Sequence, residues 1–229
     1  MKIIKGNIFT SNCQTYVNTI NCVGVMGAGI ALEFKLRNPN MFTQYVTLCE
    51  QHKIEVGKLW LYKETSKWVL NFPTKQHWKY PSKMEYLQRG LDKFVQTYQE
   101  RGIQSIAFPV LGASKGGLSE DKVLSEMEGF LKECTIPVEV YRYDPNATDD
   151  LFIQFKQRIL ESSDVELMEQ SGLRKQAINK LSDALIDQSV STISQLATQP
   201  GIGAMTLEKA FALMRAPQIQ QQTSLFDLG

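Results

Sequence analysis

The residues best suited to do chemistry lie between Val17 and Phe34, in the run VNTINCVGVMGAGIALEF. Gly24, Gly27 and Gly29 fall within six residues. The backbone there is free to take positive φ and to approach a ligand with no Cβ in the way. Ahead of them a short apolar-alternating strand is expected, ending in an Asn-rich turn from Asn18 to Asn21. Behind them Ala31, Leu32, Phe34 and Lys35 read as a helix with an apolar face. Strand, glycine loop and helix N-terminus together make a place for phosphate or pyrophosphate, because free N–H groups and the helix dipole point at it. The spacing is GxxGxG, which is neither a Walker A loop nor the GxGxxG dinucleotide fingerprint. A tight turn without a ligand is the other reading of the same glycines. A second glycine run, GASKGG from Gly112 to Gly117, follows the buried-strand sequence SIAFPVL.

The elements that must position these loops alternate. MKIIKGNIFT reads as a first strand leaving through Gly6-Asn7, and MFTQYVTLCEQH as a helix after the break at Asn38-Pro39-Asn40. KLWLYKE and KWVLNFPT form a hairpin across Thr65-Ser66. Leu87, Leu91, Phe94, Val95 and Tyr98 mark the inner stripe of a helix over 84–100. A further helix spans 119–133 with Ser119 as its N-cap, and VEVYRY is the last strand. Such alternation predicts an α/β fold, a central sheet with helices on both faces, and both glycine loops at one end of it.

From about Asp149 the chain turns helical and polar. The expected division is 1–148 for the α/β domain, 149–216 for a small all-helical region and 217–229 for a flexible tail. Leu151, Phe152, Phe155 and Ile159 form a helix packed back on the first domain. A weak repeat at an offset of 29 residues aligns Leu167 with Leu196, Gln170 with Gln199, Gly172 with Gly201 and Lys180 with Lys209.

A net charge of +1 over 229 residues gives no general attraction for nucleic acid, so any such contact must be local. The four cysteines lack CxxC spacing and only His52 and His77 are present, which predicts reduced thiols and no metal site. Neither a membrane-length apolar run nor a signal-peptide pattern occurs, and a cytoplasmic location without membrane contact is expected.

GNIF, VNTINCVGVMGAGIALEFK, NFPTKQHW and FPVLGASKGGL, in that order over roughly residues 1–143, resemble a macrodomain. More narrowly they resemble the DarG-like, DNA ADP-ribosyl glycohydrolase branch, the antitoxins of toxin–antitoxin pairs. The resemblance implies a mixed central sheet with an ADP-ribose cleft at its end, and no cofactor. Asn7 and Ile8 would lie at the adenine side; the family often has Asp where this chain has Asn7. Thr19, Ile20, Asn21 and the loop residues Gly24, Val25, Met26, Gly27, Gly29 and Ile30 would wrap the distal ribose and the pyrophosphate. Gly112, Ala113, Ser114, Lys115, Gly116 and Gly117 would close over the phosphates from the other side. Thr74 and His77 would contact ligand, with Trp78 beside them in the wall. Asn21 would hold the distal ribose in the catalytic step, its alternative being an Asx-turn residue that supports the loop.

In the same resemblance Lys75 is catalytic, a neutral amine attacking the anomeric carbon of the distal ribose and passing through a Schiff base. The alternative is a solvated surface lysine. Relatives carry Asp or Asn just after the GGL of the second loop, where this chain has Ser119 followed by Glu120 and Asp121. Serine is a poor acid or base at neutral pH. The implied activity is release of ADP-ribose from ADP-ribosylated DNA bases, as antitoxin or repair factor. A non-catalytic ADP-ribose reader and a protein that binds and restrains a cognate ADP-ribosyltransferase toxin are the alternatives.

Thr198-Gln199-Pro200-Gly201-Ile202-Gly203 resembles a helix–hairpin–helix, in which the backbone at Gly201 and Gly203 would grip a DNA phosphate. A plain helical scaffold is the other reading. Gln222, Leu225 and Phe226 resemble a sliding-clamp-binding peptide.

Overall fold

The computed structural model describes residues 1–215. The last of the sequence, with the clamp-like peptide at Gln222, Leu225 and Phe226, lies outside the described residues. The strands β1 (Lys2–Gly6), β2 (Thr15–Ile20), β3 (Trp60–Lys63), β4 (Trp68–Pro73), β5 (Ile106–Pro109) and β6 (Val138–Tyr143) form one sheet in the order β1-β6-β5-β2-β4-β3. All neighbours are parallel except the β3–β4 hairpin, so the sheet is mixed.

The period-2 alternation of the strands sorts their side chains to two cores. Val17, Leu70, Phe72, Ile106, Phe108 and Val140 meet α3 (Met84–Thr97) and α4 (Glu120–Leu131) through Leu87, Leu91, Phe94, Val123 and Met127. Tyr16, Ile20, Val69, Ala107 and Tyr141 meet α1 (Gly29–Arg37) and α2 (Pro39–Glu50) through Phe34, Met41, Tyr45 and Cys49. Gly90 of α3 is there for packing: a Cβ would collide with the Phe72 ring, two residues before the Thr74-Lys75 corner. Ser119 does occupy the N-cap position of α4, but its side chain makes no capping hydrogen bond.

One sequence expectation fails inside β2. Asn18 is not part of a turn; it lies mid-strand and fully buried, in register with Asn71 of β4. Its Nδ2 donates to Asn71 Oδ1 at 2.9 Å. Two asparagines can sit in a parallel core because each satisfies part of the other's polar demand.

The C-terminal helices are α5 (Asp150–Glu161), α6 (Asp164–Ser171), α7 (Lys175–Ile186), α8 (Ile193–Leu196) and α9 (Ala204–Phe211). The weak repeat is structural. Gly172 after α6 has φ +64° and Gly201 after α8 has φ +80°, and each turns its chain into a second helix, α7 or α9. Leu167 and Leu196 are both buried on the first helices, while Lys180 and Lys209 are exposed on the second.

The core of this helical region is shared with the first domain. Leu32 and Leu36 of α1 lie in one cluster with Phe152, Phe155, Ile178, Leu196 and Phe211. A polar seam runs beside it. Lys35 Nζ meets Glu208 at 2.6 Å, Arg37 meets Asp150 at 3.0 Å, and Asp149 accepts from Ile193 N, the first residue of α8, at 2.9 Å. Glu33, 6% exposed, accepts from Ser194 Oγ at 2.5 Å. Burial pushes the Glu33 carboxyl up to about 7, against the opposing pull of the Ser194 hydroxyl.

A carboxyl whose folded-state pKa lies above its unfolded value of 4.5 holds its proton longer in the folded chain. Stability should therefore fall as pH rises from 4.5 to about 7 and level off above that. Glu33→Gln, which can still accept from Ser194, should abolish that slope. At pH 8 it should be the more stable protein by roughly 3 kcal/mol or less, as read from urea melts across pH.

Candidate active site

Because β1, β6, β5, β2 and β4 are parallel, their C-terminal ends open along one edge, which is where sheets of this kind receive ligands. After β1 come Asn7 and Ile8; after β5 comes the Gly112–Gly117 loop; after β2 comes the Gly24–Gly29 loop; after β4 come Thr74 and Lys75. Four strand spacings separate β1 from β4, about 19 Å in all. An elongated ligand is the kind that could use every part of this edge.

The first glycine loop is held from beneath by Asn21. Its Oδ1 accepts from Val23 N at 3.0 Å and Val25 N at 3.4 Å, and its Nδ2 donates to the Val25 carbonyl. The Tyr45 hydroxyl, fully buried on α2, points at both the Asn21 carbonyl (2.7 Å) and Oδ1 (3.0 Å). Burial holds the Tyr45 pKa far above its ordinary range, so the phenol is a permanent donor. The amide of Asn21 is thus engaged as an Asx-type loop support, with one Nδ2 hydrogen left over. Met26 anchors the far side of the loop: it is 1% exposed, with its sulfur 3.9 Å from Asn18 Nδ2. Val23 and Val25 face solvent beside the cleft, and Gly24 takes φ +78°. Thr19 and Ile30 are half-buried and Ile20 is buried.

The second loop is tightly wound. Gly112 has φ +63° and Gly117 φ +78°, and Leu118 N returns to the Gly112 carbonyl at 3.1 Å. A Cβ on Gly116 would collide with that carbonyl and with Ser82 Oγ. Lys115 reaches toward the first loop, its Cγ 3.7 Å from where a Gly29 Cβ would stand. The two loops therefore face one another across the N-terminus of α1.

Lys75 spans the gap between β4 and the second loop. Thr74 N still extends the ladder to the Ile20 carbonyl at 2.9 Å, and Cys22 N binds the Gln76 carbonyl at 3.1 Å, so the backbone at Lys75 is fixed on both sides. Its Nζ donates to the Lys115 carbonyl at 2.6 Å. Partial burial lowers the Lys75 pKa below the usual lysine value, with no neighbouring cation involved. Thr74 is 4% exposed. His77 lies further out, its Nδ1 accepting from Lys79 N at 3.2 Å and its ring stacked on Trp78.

At the β1 end, Asn7 Oδ1 accepts from Phe9 N at 3.0 Å and its Nδ2 donates to the Thr148 carbonyl at 3.2 Å. One lone pair of the amide oxygen is still open. Ser119 is exposed, and Glu120 is held at 2.5 Å by Arg142, which draws it away from a free role as proton donor. Gly201 and Gly203 belong to the C-terminal helices and take no part in this edge. Among the described residues, no three His, Cys, Asp or Glu side chains are grouped to hold a metal. A groove of about 500 Å³ along β3, lined by Lys53, Lys58, Trp60, Lys93 and Arg101 among others, contains none of the motif residues.

Sequence reasoning missed Tyr45, Asn71 and Ser82. The i+4 spacing of Met41, Tyr45 and Cys49, all buried, is the signal that could have brought Tyr45 to the sheet.

The family model described as the Macro domain matches residues 17–127. The DNA ADP-ribosyl glycohydrolase of Thermus aquaticus is 39% identical over 149 residues, covering 63% of this chain and 41% of that protein. That of Mycobacterium tuberculosis is 42% identical over 145 residues, covering 62% of this chain and 41% of that protein. The chain thus spans well under half the length of these curated relatives. Among solved structures, the macrodomain of Mycobacterium tuberculosis DarG superposes with a TM-score of 0.59 at 36% identity, covering 61% of this chain and 95% of that one. Thermosipho africanus DarTG in complex with ADP-ribose gives 0.59 at 35% identity, covering 62% and 41%.

Removing the donor beneath the first loop should loosen it. Tyr45→Phe removes the single hydroxyl hydrogen that the Asn21 carbonyl and Oδ1 share, at an expected cost of about 1–3 kcal/mol. Thermal melts should show the loss, and amide exchange should speed up over Val23–Val25 before it does in β2.

Proposed function

This chain belongs to the macrodomain family, and we propose that it hydrolyses the bond between ADP-ribose and a DNA base. The observation that carries the proposal is the convergence of Lys75 with both glycine loops, its Nζ 2.6 Å from the Lys115 carbonyl. Relatives at 39% and 42% identity are named DNA ADP-ribosyl glycohydrolases, and one matching structure is titled as a complex with ADP-ribose. The edge suits that ligand: adenine toward Asn7 and Ile8, pyrophosphate over the α1 N-terminus between the loops, distal ribose toward Lys75.

In the reaction Lys75 leaves the Lys115 carbonyl and attacks the anomeric carbon as a neutral amine. A carbon–nitrogen bond to the lysine forms as the bond to the base breaks, and one amine proton departs with the base. The sugar ring then opens as its C1–O4′ bond breaks and the oxygen takes the remaining amine proton, and water hydrolyses the resulting imine to ADP-ribose and the free lysine. Serine directly follows GGL here and Glu120 beyond it is paired with Arg142, so the amine itself carries the proton that the base needs. Asn21 acts in this scheme by holding Val23 and Val25, its spare N–H turned to the ribose. Thr74, His77 and the backbone of Ala113 and Ser114 complete the walls.

The engagement of Glu120 with Arg142 favours one competing reading, a reader that binds ADP-ribose without turnover. An antitoxin or repair role in the cytoplasm, opposite an ADP-ribosyltransferase partner, agrees with the relative named as a transferase–glycohydrolase fusion in Thermosipho africanus. Within the proposed boundaries of 1–148, 149–216 and 217–229, the paired helix–glycine–helix turns at Gly172 and Gly201 would hold duplex phosphates. The peptide around Leu225 and Phe226 would meet a sliding clamp.

Release of ADP-ribose from an ADP-ribosylated oligonucleotide should occur with the wild type and drop at least a hundredfold in Lys75→Ala, with ADP-ribose binding kept. Binding without release by the wild type would leave the reader. Because the attacking form is the neutral amine and its pKa is lowered, kcat should rise with pH and reach its plateau below the lysine reference value of 10.5.

A further inference from the structure

Between the two loops the chain reads KQHWKYPSK from Lys75 to Lys83, a segment with three lysines, three aromatic rings and no acid. It is an arch pinned at both ends. Cys22 N binds the Gln76 carbonyl at 3.1 Å beside the first glycine loop, and Ser82 N binds the Gly116 carbonyl at 2.9 Å in the second. Inside the arch, Tyr80 N closes a turn on the His77 carbonyl, and Lys79 N bonds His77 Nδ1. His77 stacks on Trp78 with ring centroids 5.6 Å apart and lies 5.4 Å from Tyr80.

Trp78 is 49% exposed and Tyr80 65%, and neither ring belongs to a core cluster. Large rings are ordinarily worth burying. Here a rigid backbone holds them out of the core, three and five residues from Lys75. Lys79 Nζ lies 5.1 Å from the Trp78 ring; Lys83 lies 5.4 Å from the Tyr86 ring and 3.8 Å from Glu85, the Lys83 and Glu85 side chains both more than 60% exposed. The charge of the arch is therefore available to a polyanion.

We propose that this arch is a docking platform for single-stranded DNA flanking the modified base, with neighbouring bases stacked on Trp78 and Tyr80 and phosphates met by Lys79 and Lys83. The proposal rests on the glycohydrolase reading for what the strand brings to Lys75. Exposed rings interleaved with cations bind unstacked bases of any sequence through their faces. A base within a duplex cannot present its sugar-bearing adduct to the floor of a cleft without leaving the stack, which makes the single strand the fitting partner. The near-neutral charge of the whole chain does not oppose this, because the cations are concentrated where the strand would run.

The test uses the full chain and an unmodified, fluorescein-labelled oligothymidylate of about 12 nucleotides, within the usual span of such sites. Fluorescence anisotropy at low salt should show binding by the wild type. Trp78→Ala/Tyr80→Ala should weaken it at least tenfold, and Trp78→Phe/Tyr80→Phe, which keeps the ring faces, should stay within about threefold of wild type. Lys79→Ala/Lys83→Ala should reduce the slope of log K against log salt by about 1.4. Absence of wild-type binding, or an Ala pair that binds like wild type, overturns the platform. In the second case, equal binding to a duplex of the same length would move the contact to the C-terminal helices. Calorimetry of wild type with ADP-ribose separates the two readings: strand binding without ADP-ribose binding sinks the glycohydrolase and spares the platform, and the reverse result does the opposite.

Discussion

The site depends on one buried hydroxyl. Tyr45 reaches from α2 to both oxygens of Asn21, and Asn21 in turn holds the backbone of Val23 and Val25. A glycine loop is entropically expensive to order and has few side chains of its own to pack. Its shape must be imposed from outside. Here the imposing group sits in the hydrophobic core with Met41 and Phe34, so the stability of the domain and the geometry of the cleft are coupled through a single phenol. Met26 and the Asn18–Asn71 pair repeat the device on the other side, fastening the loop to the interior of the sheet.

The parallel topology does the rest. It brings segments far apart in the chain to one edge, and the crossovers decide which of them are neighbours. β5 and β2 lie side by side, so their two glycine loops meet over the start of α1. β4 lies on the other side of β2, so the lysine after it arrives beside the first loop and reaches the second. Nothing in this arrangement needs a charged residue in the core of the sheet. The polar work is done by backbone groups at the rim and by one amine whose partial burial favours its neutral form.

What could be read in the sequence was whatever is local. Glycines before an apolar helix announce a loop and a helix start, and the order of strands and helices along the chain follows from periodicity. Asn18 was misread because an asparagine near glycines normally signals a turn; its partner Asn71 is 53 residues away and invisible to any local rule. The same blindness hid Tyr45, whose role exists only once α2 has packed on β2. The motif around Lys75 marked the residue, but not the contact with Lys115, which is set by the crossover from β4 to β5. The repeat around Gly172 and Gly201 was visible as a faint match and is plain as two left-handed glycines between helices.

The position of α1 gives the molecule an unusual anatomy. Its N-terminus borders the cleft, and its opposite side supplies Leu32 and Leu36 to a core otherwise built from α5, α6, α7, α8 and α9. Nine helical residues are thus shared property. The change of composition near Asp149 marks a seam in the sequence but not in the packing. A cut made there would strip two leucines and the Glu33 carboxyl of their cover, so the first 148 residues in isolation would carry a sticky, polar-edged scar directly behind the loop that shapes the cleft. In this protein the helical region braces the far side of the helix whose N-terminus borders the cleft.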